Sequence, residues 1–398
     1  MAILLFWVQK SLLRADNHCM LYTAINTATE EKFAEYNTPD DIRLEAMLAA
    51  GQARFHDWKK TPLSRRAGLL KQFASRVDEA SPRLAELLTR EVGKPLAQSA
   101  AELARVSSVA RYFAEHAADI LKAQSIAEVT EKQALIHHDP IGMVFAITPW
   151  NYPASLLARA ALPALIAGNS VLLKPAPNVP GISLELERLF LEAGFPEGVF
   201  QIALLSNQQA ARVIEDPRIR MVSFTGSVAA GREIGRLAGG ALKKTALELG
   251  GNDAFIVRED ADAALAARAA VTARTNNAGQ ICCAPKRFLV HRSVIGGFTE
   301  EAAKLVKSLK VSNPLVCDTQ MGPLARRDLL ENLKLQVSSL AGAGAVECAR
   351  SEFPPDRGFF YPATVLRLNE SPPQLNNQEL FGPILSVVPF SDDAQAVE

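Results

Sequence analysis

Two thiols stand side by side in Asn276-Asn277-Ala278-Gly279-Gln280-Ile281-Cys282-Cys283, where a glycine closes an alanine-rich stretch. A cysteine beside polar amides at a chain reversal can be partly exposed and, once ionised, nucleophilic. A buried structural cysteine is the plainer alternative, because that is the commoner fate of the residue. Adjacent cysteines rarely bridge each other usefully, so a disulfide between them is not expected. Glu248 lies in Leu247-Glu248-Leu249-Gly250-Gly251, a lone carboxylate in an apolar run. Buried there, it would hold its proton more tightly and serve as a general base; on an edge strand it would face water. Periodicity does not separate the two.

Three further segments carry candidate chemistry. Thr148-Pro149-Trp150-Asn151-Tyr152-Pro153 follows an apolar run that reads as a strand, and open α/β sheets place ligands at the carboxyl ends of strands. Asn151 there could donate to a developing oxyanion, a contact whose loss costs about 2.7–4 kcal/mol of transition-state stabilisation. An asparagine in a proline-rich turn is the bland alternative. The helix that follows, Ala154 to Ala167, is almost wholly apolar and carries one charge, Arg159. Its guanidinium needs a carboxylate, from the protein or from a ligand. In Phe224-Thr225-Gly226-Ser227 a strand meets a helix start, whose free N–H groups and dipole could hold a pyrophosphate. An ordinary serine cap explains the same residues, and the GxGxxG fingerprint is absent.

The elements that must position these residues follow from apolar spacing. Residues 39–122 are helical in pattern, with Leu69, Leu70, Phe73 and Val77 and then Leu84, Leu87, Leu88 and Val92 on one face, closed by Gly93 and Pro95. Residues 129–138 read as extended. From Met143 onward, short apolar runs alternate with helical windows: Met143 to Thr148, Ser170 to Lys174, Val199 to Leu204, Arg220 to Thr225, Lys244 to Leu249, Asp253 to Val257 and Lys286 to His291. That alternation predicts βαβ units in a doubly wound parallel sheet, with a second sheet beginning near residue 250 after which Ala261 to about Asn277 is helical. The Ala/Gly stretch at 341–346 reads as a loop, and a helix starts after Ser391-Asp392-Asp393.

Of the 398 residues, 43 are basic and 43 acidic, and 48% are hydrophobic. This usage excludes global disorder, and the charge balance gives no electrostatic reason to expect a nucleic-acid or membrane partner. The five cysteines, Cys19, Cys282, Cys283, Cys317 and Cys348, show no CxxC or zinc spacing, and His137-His138 precede a turn-like Asp139-Pro140. No metal site is expected, and a reducing, cytoplasmic setting fits. The apolar run Ala2 to Val8 lacks a basic region before it and a cleavage site after it, and is too short to span a bilayer. Residues 1–19 are therefore expected to be a spurious or disordered extension, with Met20 the true start.

Together the segments resemble the aldehyde dehydrogenase superfamily. Thr148 to Pro153 is similar to its Pro-Trp-Asn-x-Pro segment, Lys174-Pro175 to its strand-end lysine, and Phe224 to Ser227 to its Phe-Thr-Gly-Ser motif. Glu248 to Gly251 matches its Glu-Leu-Gly-Gly motif, Gly279 to Cys282 its nucleophile segment, and Glu379-Leu380-Phe381-Gly382-Pro383 completes the set. Residues 168–181 and 89–95 look most like bacterial succinate-semialdehyde dehydrogenases, in which an arginine at the position of Arg159 holds the distal carboxylate of the substrate.

The resemblance implies NAD(P)-dependent oxidation of succinate semialdehyde, or a similar ω-carboxylated aldehyde, to the acid. Cys282 rather than Cys283 would attack the aldehyde carbon. Asn151 and the Cys282 backbone N–H would stabilise the oxyanion, and Glu248 would activate water to hydrolyse the thioester. Lys174 and Glu379 would bind the riboses of NAD or NADP, Thr148, Trp150 and Phe381 would line the nicotinamide crevice, and Gly226 and Ser227 would open the pyrophosphate-binding helix. Pro177 stands where many NAD-preferring relatives carry a glutamate, which leaves NADP admissible. The implied architecture is an α/β, doubly wound cofactor domain over residues 20–247, with residues 126–139 in an oligomerisation hairpin. A second α/β catalytic domain over residues 248–398 would follow, its final segment missing. At full length the enzyme would be a homo-oligomer acting on a small-molecule aldehyde. A truncated, non-catalytic remnant that still binds cofactor is the alternative.

Overall fold

The computed structural model describes residues 21–126, 134–352 and 357–397. Leu21–Ile25 (β1) and Lys32–Asn37 (β2) pair antiparallel, with Tyr22 and Ala24 turned inward. This hairpin was not expected from sequence, because its outer strand presents no buried face. Asp41–Trp58 (α1), Leu63–Val92 (α2) and Leu96–Ile120 (α3) follow. The predicted stripe of α2 is buried from Leu69 to Val92 except for Leu87, which is half-buried, and the helix stops at Gly93. Gln124–Ile126 (β3) pairs antiparallel with Ala134–Ile136 (β4). The extended reading of 129–138 is met at 134–136, whereas residues 127–133, like the expected extension over 1–19, lie outside the described residues.

The first large sheet is built from Met143–Ile147 (β5), Ser170–Lys174 (β6), Phe200–Ile202 (β7), Ile219–Thr225 (β8) and Lys244–Glu248 (β9), ordered β7-β6-β5-β8-β9. Every pairing is parallel. Val144 and Ala146 of β5 face the core shared with α2, α3, Pro153–Ile166 (α4) and Pro180–Glu192 (α5). Met143 and Phe145 face the opposite core, shared with α1, Asn207–Glu215 (α6) and Val228–Gly240 (α7). Apolar side chains on both faces are what a central parallel strand requires, so the sheet is doubly wound as expected.

The second sheet contains Ala254–Val257 (β10), Arg287–His291 (β11), Val346–Arg350 (β12), Thr364–Arg367 (β13) and Ile384–Phe390 (β14), ordered β10-β11-β14-β13-β12. It is parallel except for its antiparallel edge strand β12. Ala263–Thr275 (α8), Ile295–Lys307 (α9) and Arg327–Gly342 (α10) pack over it, and Pro373–Asn376 (α11) and Asp393–Val397 (α12) are short additions. The loop expected at 341–346 is shorter: α10 runs to Gly342 and β12 opens at Val346. No helix among the described residues is long and apolar enough to cross a membrane.

Candidate active site

The thiol pair is presented by a left-handed turn. After α8, Asn277, Ala278 and Gly279 take φ of 48°, 50° and 73°. Left-handed backbone costs an L-residue roughly 1–2 kcal/mol, and buried hydrogen bonds hold it here. Gln98 Oε1 accepts from the Asn277 N–H at 2.9 Å, and the Asn277 carbonyl accepts from the Gln280 side chain at 3.0 Å. Gln280 Oε1 in turn accepts from the Ala325 N–H at 3.0 Å. A Cβ on Gly279 would sit 2.2 Å from the Gly382 carbonyl oxygen, so only glycine lets the Glu379-to-Pro383 segment pass. Cys282 and Cys283 emerge from this turn exposed and unbridged. Partial burial pushes the Cys282 thiol up and the neighbouring Cys283 adds to it, against the pull of the Cys283 backbone N–H and the Lys286 charge. These surroundings favour the thiol over the thiolate, and attack on a carbonyl follows loss of the proton.

Asn151 joins this turn from the first sheet. It is 5% exposed, and one N–H of its amide donates to the Gln280 carbonyl at 3.0 Å. An amide has two such donors, so the second is left for a ligand. The backbone carbonyl of Asn151 accepts from Lys94 Nζ at 2.9 Å and from Asn277 Nδ2 at 3.0 Å. Among the described residues the Cys282 backbone N–H makes no hydrogen bond. Two donors suited to an oxyanion thus belong to one hydrogen-bonded cluster around the thiol.

Lys174, 5% exposed as a residue, ends β6 with its ammonium 5.9 Å from the Tyr22 ring centroid and without a carboxylate partner among the described residues. Burial pulls it down to about 8. Beside it, the Thr148 N–H donates to the Lys174 carbonyl at 3.0 Å. Trp150 meets Phe381 edge to face at 5.7 Å, and the Arg326 guanidinium lies 5.7 Å from the Trp150 ring. Ser227 caps α7, accepting from the Ala230 N–H at 3.3 Å, and the first residues of that helix are exposed. An unpartnered cation, an open helix N-terminus and an aromatic pair fit a dinucleotide. Glu379 stands in an ion pair. Its Oε1 pairs with the buried Lys286 ammonium at 3.1 Å, and a Cβ on Gly250 would sit 2.2 Å from its Oε2. Lys286 also donates to the Cys282 carbonyl, so one side chain links the thiol loop to this carboxylate.

Of the two settings open to Glu248, the water-facing edge strand is the one found. Glu248 closes edge strand β9, every residue of which is exposed, and its carbonyl accepts from the Gly226 N–H at 3.0 Å. The next residues bring the chain to Gly250, against Glu379. Arg159 is exposed on α4 and has no ion pair or hydrogen bond among the described residues. The carboxylate it needs is not supplied by the described chain.

Sequence reasoning missed Lys94, Glu102, Gln98, Arg274 and Lys286. Arg274 is fully buried, donating to the Ile384 carbonyl at 3.0 Å and to the Leu380 carbonyl, and burial pulls it down to about 9. The signal for Lys286 was a lysine directly ahead of a strand; Lys94 lies in the turn between two helices, and Gln98, Glu102 and Arg274 are polar residues on helices that look like a solvated face.

Residues 14–398 match the family model described as aldehyde dehydrogenase family. The succinate semialdehyde dehydrogenase Sad of Escherichia coli strain K12, named for NAD(P)+, is 39% identical over 378 residues, 94% of this chain and 81% of that protein. The NADP(+)-named succinate-semialdehyde dehydrogenase 1 of Mycobacterium tuberculosis strain H37Rv is 37% identical over 95% of this chain and 83% of its own. The crystal structure of succinic semialdehyde dehydrogenase from Streptococcus pyogenes with NADP+ superposes with a TM-score of 0.91 at 30% identity, covering 94% of this chain and 83% of that one.

Proposed function

The chain belongs to the aldehyde dehydrogenase family, and from that premise we propose that it oxidises succinate semialdehyde, or a similar ω-carboxylated aldehyde, with NAD or NADP. The observation that carries the reading is the Asn151 amide bonded to the Gln280 carbonyl at the base of the Cys282 turn. Cys282, exposed to solvent, gives up its proton to water and attacks the aldehyde carbon as the thiolate. The free Asn151 N–H and the Cys282 N–H receive the charge on the former carbonyl oxygen. When bound, the dinucleotide supplies the hydride acceptor that turns the thiohemiacetal into a thioester. Lys174, Thr148, Trp150, Phe381, Glu379, Gly226 and Ser227 would hold that group. Glu248, exposed beside the glycine pair, deprotonates water for attack on the thioester, and its access to solvent suits that task. Arg159 takes the substrate's carboxylate through a charge-assisted bond.

Residues 20–247 form the cofactor domain in this reading and 248–398 the catalytic one. Exposed Ile126, Leu135 and Ile136 on the β3–β4 pair support assembly of a homo-oligomer, and the free thiols among the described residues support a reducing, cytoplasmic setting. The test is NAD(P)H formation with succinate semialdehyde by the protein and by Cys282→Ala. We expect turnover only with the thiol present; equal rates would remove the assignment.

A further inference from the structure

The first turn of α4 is held from below by a buried ion pair that the chemistry above does not use. Lys94 and Glu102 are both 0% exposed at the side chain and contact each other. Neither has a route to solvent or substrate that would explain two charges there. Both are committed to one short piece of chain. Lys94 Nζ donates to the Asn151 carbonyl at 2.9 Å and lies 3.7 Å from the Tyr152 ring centroid, a cation on an aromatic face. Glu102 Oε1 accepts from the Ser155 N–H at 3.0 Å, which is one of the orphan donors at the start of α4. The pair therefore grips residues 151 and 155 from both ends, and Tyr152 between them.

Desolvating two charges is expensive, and a hydrophobic pair of similar volume often stabilises as well. Stability alone is a poor reason for the pair; geometry is a better one. The neutral alternative would leave the Asn151 carbonyl with one donor, Asn277 Nδ2, and the Ser155 N–H with none. We infer that Lys94 and Glu102 are positioning residues for the oxyanion donor: they fix the height of the Asn151 amide against the Cys282 turn. This rests on Asn151 acting as that donor.

The experiment separates steps that form an oxyanion from steps that do not. Acyl transfer from p-nitrophenyl acetate to Cys282 needs no dinucleotide and passes through an oxyanion. Alkylation of Cys282 by iodoacetamide, read on its peptide by mass spectrometry, is a displacement at saturated carbon with none. For the Lys94→Met/Glu102→Met double variant the expected result is an acylation kcat lower on the order of 100-fold, as a misplacement near 1 Å costs, with KM, alkylation rate and melting temperature close to those of the parent. Acylation within about threefold of the parent overturns the inference, as does a matched loss of alkylation, which would mark a general loosening of the thiol loop. Should the double variant not fold, Glu102→Gln is read instead. It keeps an acceptor for the Ser155 N–H but loses the charge that holds Lys94; a fall in acylation of about tenfold or more with alkylation unchanged supports the inference, and a smaller one overturns it. Failure of the underlying reading looks different: Asn151→Ala would then acylate as fast as the parent, or the parent itself would not acylate at Cys282.

Discussion

Cys282 sits in surroundings that favour its thiol form, so proton transfers belong to the proposed reaction. Replacing Glu248 by Gln should leave the first half-reaction largely intact and slow thioester hydrolysis by about 10²–10⁴-fold, the usual worth of a general base. Rapid mixing would then show one equivalent of NAD(P)H followed by a slow steady state; a vanished burst would place Glu248 in the first step instead. Lys174 makes a second prediction. Its ammonium titrates near 8 because it is buried, and its charged form is the one that attracts an anionic dinucleotide. Affinity should therefore be full below that pH and weaken as pH rises through it. Binding titrations from pH about 7 to about 9 should show this for the parent and not for Lys174→Met, and the slope should be steeper for the 2'-phosphorylated cofactor. Identical slopes for parent and variant would detach Lys174 from the site.

At the scale of elements, the thiol turn depends on α8 being pinned to the segment before β14. Arg274 does this with two bonds to carbonyls of residues 380 and 384. Arg274→Met removes both donors while keeping much of the volume. Each buried carbonyl left without a partner costs about 1–3 kcal/mol, so a loss of about 2–6 kcal/mol is expected in denaturant unfolding for the two; a change below about 0.5 kcal/mol would show that water replaces the guanidinium. The elements themselves were largely legible beforehand. Met143–Ile147 is apolar on both faces and Ser170–Lys174 is buried throughout, and both are bounded by turn signals, so their runs stand out whatever packs on them. Lys32–Asn37 was not legible because its exposure leaves no period to read. The setting of Glu248 stays open in the sequence for a related reason: local pattern gives a strand but not whether that strand lies at an edge. The grip of Lys94 on Asn151 spans 57 residues, and nothing in either neighbourhood announces it.

Across the whole molecule, residues from both sheets must meet for the chemistry to exist. Trp150 against Phe381, Asn151 against Gln280 and Asn277 against Gln98 are the contacts that bring them together. Arg159, exposed on α4 and unpaired among the described residues, is the group proposed to take the carboxylate of the substrate. The decisive measurement is kcat/KM for succinate semialdehyde and for butanal, with parent and Arg159→Leu. A charge-assisted contact is worth roughly 1.5–3 kcal/mol, about 10- to 150-fold, so the variant should lose that much with the carboxylated aldehyde and almost nothing with the uncharged one. Equal losses on both substrates, or a parent that does not prefer the carboxylated aldehyde, would contradict the account.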